Sequence, residues 1–107
     1  MLLLLDENLP KRLKQDFPNH KVLTIRDMGW NGLKNGQLLK KLLENKFDAL
    51  LTFDKNLQYQ QNFKTYTIAV LVLSAKKNTY EELTILSPKI NTILNKGLEI
   101  GVIEIKN

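Results

Sequence analysis

The 107-residue chain has no cysteine. That excludes thiol catalysis, disulfides and cysteine-ligated metal, and it fits a reducing compartment. There is a single histidine, His20. It precedes the second predicted strand, at the edge away from the chemistry, and reads as an ordinary surface residue. Internal repeats, linkers and low-complexity tracts are missing. Long apolar runs are missing too. The longest N-terminal run, Leu2–Leu5, is broken by Asp6 and Glu7, too early for a signal-peptide core or a membrane span. A cytoplasmic protein without a membrane partner is expected. Glycine is sparse, and Gly29, Gly32 and Gly36 do not match the spacing of a phosphate-binding loop.

What remains is ordinary for a globular protein. Hydrophobic residues make up 43% and charged residues 25%. The length suits one domain, residues 1–107, with a core large enough to stand without a staple. Sixteen basic residues against eleven acidic ones give a net charge of +5. A basic surplus suits polyanionic partners, nucleic acid above all, although solvated surface lysine produces the same count.

The hydrophobic pattern alternates between two periods. Leu2–Leu5 reads as a strand covered on both faces. Asn8 and Pro10 then resemble a helix start, with Leu9, Leu13 and Phe17 on one face. Lys21–Ile25 reads as a second strand, followed by a loop from Arg26 to Asn35. A helix from Asn35-Gly36 to about Lys46 carries a stripe of Leu38, Leu39, Leu42 and Leu43. Ala49–Phe53 is a third strand, and the polar run Asn56–Asn62 a short helix. Thr67–Leu73 is the strongest strand. Thr79-Tyr80-Glu81-Glu82 has capping-box spacing. The helix it opens should break near Pro88, with Ser87 capping the second piece, and end at Gly97. Ile100–Ile105 is a last strand. Strands alternating with helices predict a three-layer α/β domain with a mainly parallel sheet of four or five strands.

Two segments repeat one design: an apolar run ending on an acid, Asp6 after the first strand and Asp54 after the third. If strand one lies between strands two and three, both acids sit at the carboxyl edge of the sheet, where the strand order reverses and ligands bind. Adjacent strands lie about 4.8 Å apart, so the two carboxylates need a shared proton or a cation. Oxygen ligands in a small cluster suit Mg²⁺ or Mn²⁺. The plainer alternative makes each acid a helix cap, a role that does not exclude the other. Glu7, Asp27 and Gln37 are candidates for a third ligand. Asp48 precedes strand three and falls at the opposite edge. Trp30 lies in a glycine-flanked loop, where an aromatic either stacks on a base or, more commonly, plugs the core.

These segments also carry a resemblance. Leu4-Leu5-Asp6-Glu7-Asn8-Leu9-Pro10 and Leu51-Thr52-Phe53-Asp54-Lys55-Asn56-Leu57 resemble the two signatures of a bacterial family of small PIN-like domains. Met28 to Gly36 resembles the family's central loop, and Gln58 to Asn62 continues the match for one subgroup. The likeness covers nearly the whole chain in the family's order. It implies a PIN-like fold, a Rossmann-like three-layer sandwich with an acidic cluster binding Mg²⁺ or Mn²⁺. VapC-related members are toxins of toxin–antitoxin systems that cleave RNA. Asp6 and Asp54 would then be catalytic metal ligands, supported by Asn8 and Asn56. The partners implied are RNA and a small antitoxin protein encoded nearby, with room for a homodimer. The sequence departs from the family pattern at Gln37, where an acid is usual. An amide brings no negative charge, which weakens the expected metal site.

In the implied reaction the ion lowers the pKa of a bound water, which attacks a phosphodiester in line. Lys11, Arg12, Lys34 and Lys55 would hold flanking phosphates. Two other readings compete. One is a catalytically degenerate PIN-like module that binds nucleic acid or protein. The other is a receiver-like domain with Asp54 as phosphoacceptor, supported by Ser74 and Lys106.

Overall fold

A computed structural model describes residues 1–56 and 66–107, with only the backbone of Asn35. Most of the predicted polar helix, Asn56–Asn62, lies outside the described residues. Five strands form one sheet: β1 (Leu2–Leu5), β2 (Lys21–Thr24), β3 (Ala49–Thr52), β4 (Ala69–Ser74) and β5 (Gly101–Lys106). Their spatial order is β2-β1-β3-β4-β5, and every pairing is parallel. The sheet is therefore fully parallel, and β1 occupies the expected place between β2 and β3.

The two-residue period of the strands divides their side chains between two cores. Leu3, Leu5, Ala49, Leu51, Ala69, Leu71 and Leu73 face one way. That face is covered by a 3-10 helix, Lys11–Asp16, and by α4, Ser87–Lys96, with the short α3, Tyr80–Leu83, ahead of it. Leu4, Leu50, Val70 and Val72 face the other way, against Leu38, Leu39 and Leu42 of α2, Asn35–Glu44. Both faces are thus buried, which is why the strands read as unbroken apolar runs and not as an alternation. The structure is an α/β sandwich of Rossmann-like architecture.

Several elements differ locally from expectation. The first helix is not an α-helix but the 3-10 segment Lys11–Asp16, entered through Pro10. Asn8 does not cap it. Its side-chain oxygen instead accepts from the Phe53 amide at 3.3 Å, tying the turn after β1 to the turn after β3. The expected loop at Arg26 begins with one helical turn, α1, Ile25–Met28. Thr24 and Asp27 cap it reciprocally at 2.9 and 3.0 Å, and Gly29 ends it in the left-handed region at φ 71°. Trp30 packs edge-on against Phe47, with ring centroids 5.8 Å apart, so it plugs the core of the α2 face.

Ser87 does not cap α4 either. Its hydroxyl donates to Asp16 Oδ2 at 2.6 Å. Thr84 donates to the same oxygen at 2.7 Å, and Tyr80 donates to Oδ1 at 2.7 Å. Asp16 thereby anchors the end of the 3-10 helix to the α3–α4 segment, and the Arg12 guanidinium stacks 4.2 Å over the Tyr80 ring above it. Burial alone would raise the Asp16 pKa. The hydroxyls of Ser87, Thr84 and Tyr80 and the charge of Arg12 outweigh it and hold the carboxyl below its usual 3.8.

Replacing Asp16 by alanine leaves the buried Ser87 hydroxyl and its neighbours without their acceptor. It should destabilise the protein by about 2 kcal/mol in urea unfolding at pH 7. A depressed pKa stabilises the fold above the unfolded value. The deficit of Asp16→Ala should therefore be full above pH 3.8 and shrink as the pH falls further.

Candidate functional site

The register of β1 against β3 builds the site. Leu5 lies opposite Leu51, and the Asp6 amide donates to the Leu51 carbonyl at 2.9 Å, extending the ladder by one step. Asp6 is therefore level with Thr52, while Asp54 follows two residues later, past the end of its strand. The two acids do not face each other directly. The fully buried Thr52 hydroxyl stands between them. It donates to Asp6 Oδ2 at 2.7 Å and accepts from the Asp54 amide at 3.1 Å. One hydroxyl can do both, having one proton and two lone pairs.

The second oxygen of Asp6, Oδ1, accepts from the Glu7 amide at 2.9 Å. Asp54 Oδ1 accepts from the backbone N–H of Asn56 at 2.9 Å, in an Asx turn. Burial is the largest influence on Asp6 and pushes its pKa up. The bonds from Thr52 and the Glu7 amide oppose it, and the nearby charges of Glu7 and Asp54 add to it. The net result is a carboxyl above its ordinary 3.8. Asp54 is thus close enough to be felt by Asp6 as charge.

The candidates for a third ligand are already engaged or exposed. Asp27 caps α1 and pairs with the Lys14 ammonium. That hydrogen bond is the main reason its pKa is lowered to about 2. Gln37 uses its side-chain oxygen to accept from the Lys34 amide at 3.1 Å, in the first turn of α2. Glu7 is exposed beside Asp6. Asp48 accepts from the Leu2 amide at 2.7 Å at the opposite edge of the sheet, where it was expected. Among the described residues no three acidic or imidazole groups come close enough to hold an ion together. Two carboxylates still suit Mg²⁺ or Mn²⁺. Such ions take hard oxygen donors, and Mg²⁺ commonly keeps several waters while binding one or two carboxylates and a substrate phosphate. The donor set therefore fits such an ion only with water or substrate completing it.

The basic candidates separate as well. Arg12 lies over the Tyr80 ring. Lys34 and Lys55 are exposed. Lys11 lines an open cavity of about 350 Å³ that includes Asp6 and Glu7. Two members of the site were not singled out from the sequence. Thr52 stands out in the sequence only as part of a motif, two residues before Asp54. Arg26, which lines the same cavity, was read as a loop residue. Ser74 and Lys106, the supports of a receiver-like site, line a different cavity with Glu82 and Leu86. Comparison with family models, with characterised proteins and with solved structures finds no match for this chain.

Thr52→Val keeps the shape of the side chain and removes both hydrogen bonds. It should cost about 1–3 kcal/mol, raise the Asp6 pKa further in a carboxyl NMR titration, and be largely rescued by Thr52→Ser. Asp6 itself has a raised pKa. The fold is therefore favoured below the unfolded value and loses stability as the pH rises through the folded one. With EDTA present, the melting temperature of wild type relative to Asp6→Asn should therefore fall as the pH rises from 3.8 to 7, on top of a constant offset because the amide can accept only one of the two bonds.

Proposed function

We propose that the chain is a PIN-like, metal-dependent ribonuclease, the toxin of a toxin–antitoxin pair, hydrolysing RNA phosphodiesters with a Mg²⁺ or Mn²⁺ ion that Asp6 and Asp54 would hold. The observation that carries the reading is the pair of acids at the carboxyl edge of β1 and β3, on either side of the point where strand order reverses, with the Thr52 hydroxyl between them. This is the crevice in which open parallel sheets bind ligands.

Held by these acids, such an ion would supply a water of lowered pKa and would offset charge developing on the phosphate. The protein's own part is to present the carboxylates. Thr52 and the Glu7 amide fix the two oxygens of Asp6, and the Asn56 amide fixes one of Asp54. A cation at the site would displace any proton held by Asp6, so affinity should rise with pH. Lys11, on the adjoining cavity, is placed to hold a flanking phosphate.

A second reading has its own support. Gln37 supplies no charge and spends its carbonyl on the first turn of α2, and no third acid joins the pair among the described residues. A member that binds RNA or protein without cleaving it is consistent with that.

Incubating purified protein with total RNA and Mn²⁺ or Mg²⁺ separates the two. The nuclease reading expects EDTA-sensitive cleavage, lost by more than about a hundredfold in Asp6→Asn and Asp54→Asn, beyond what a merely supporting residue costs. Metal-independent RNA binding without cleavage would favour the binding module. Cleavage by wild type and both variants alike would remove the acids from any role.

A further inference from the structure

The cavity beside Asp6 is built on the β2 side of the acid pair, and its cations are unlike the others nearby. Lys14 is paired with Asp27, and Arg12 is stacked on Tyr80. Lys11 and Arg26 line the cavity with no side-chain partner among the described residues, and the Asn31 amide beside them is equally unengaged. Three unspent donors therefore converge on one space. Its apolar floor comes from Leu9 and Ile25, both buried. Asp6 and Glu7 close the end nearest the acid pair.

The backbone that carries Arg26 and Asn31 is also held in place. Arg26 belongs to α1, whose start is capped by Thr24 and Asp27 and whose end is fixed by bonds from Gly29 and Trp30 to the carbonyls of Arg26 and Ile25. Trp30, wedged against Phe47, anchors the chain just before Asn31. The exposed Lys11, Arg26 and Asn31 side chains are then all that must be ordered when a ligand binds.

The geometry points to this cavity as a subsite for one phosphorylated nucleoside. The phosphate lies between Lys11 and Arg26, the nucleoside rests on Leu9 and Ile25, and Asn31 hydrogen-bonds the base or sugar. A volume of about 350 Å³ suits one such unit, at the small end of the roughly 300–1,000 Å³ typical of ligand pockets. A guanidinium is suited to phosphate because its planar donors reach two oxygens at once. The inference rests on the nuclease reading for its place in a polymer: the unit would be the nucleotide next to the scissile phosphate. Arg26, unremarked in the sequence, becomes the principal phosphate ligand, and Arg12 does not share that role.

The test is an NMR titration of the apo protein with adenosine monophosphate in EDTA, run beside adenosine and inorganic phosphate. The monophosphate should shift the amide signals of Leu9, Arg26 and Asn31. Arg26→Ala should weaken its binding about tenfold, the worth of one charged hydrogen-bonding group. Lys41→Ala, an equal loss of charge on exposed α2, should leave it unchanged. Equal binding by both variants, no shift at these residues, or phosphate alone binding as tightly as the nucleotide would each overturn the subsite. The titration contains no metal and needs no turnover. Failure to cleave RNA would therefore leave the subsite standing, and cleavage without nucleotide binding would sink the subsite alone.

Discussion

The pairing of β1 with β3 is the constraint on which the site depends. Their parallel register puts Asp6 level with Thr52, and the Asp6 amide completes the ladder on Leu51. From that follows the rest of the local order. The Thr52 hydroxyl has one neighbour on each side, the Asp6 carboxylate and the Asp54 amide, and it bonds to both. A shift by one residue would turn Thr52 to the opposite face and break the link. The buried leucines on both faces make such a shift costly, so the core that stabilises the sheet also positions the acids.

The charge distribution at this edge follows from competition for partners. Asp27 and Lys14 neutralise one another, Arg12 is drawn over Tyr80, and Asp16 gathers three hydroxyls. These groups brace the 3-10 helix against its neighbours. The groups left over are Lys11, Arg26 and Asn31 around a cavity and Asp6 and Glu7 at its end. The candidate site is thus made largely of polar side chains that the fold does not use for its own stability, apart from Asp6 and Thr52, whose hydrogen bonds also join β1 to the turn after β3.

Gln37 shows how far a resemblance in sequence carries. Its position suggested a weakened metal ligand. In the structure its carbonyl oxygen serves the Lys34 amide at the start of α2, a helix-capping task. Asp27, proposed as a replacement ligand, is likewise committed to capping and to Lys14. Both roles were consistent with residue type. Which role prevails depends on which backbone amides end up within reach.

Period and composition were enough to determine the strands and the layering, whereas the place of β1 between β2 and β3, which brings Asp6 and Asp54 to one edge, was a supposition that only the assembled sheet decided. Continuous apolar runs such as Leu2–Leu5 and Ala69–Leu73 have no stable home except between two layers. Tertiary structure alone decided that Asn8 would bond to Phe53 instead of capping a helix and that Ser87 would turn to Asp16. It also decided that Thr52 would separate the two acids, and that Arg26 would face the cavity while Arg12 would not. The reason is the range of the forces. Hydrophobic burial reads a local pattern and leaves a periodic trace in the chain. A hydrogen bond or ion pair is settled by which of several equivalent polar groups arrives within about 3 Å, and only the assembled fold fixes that.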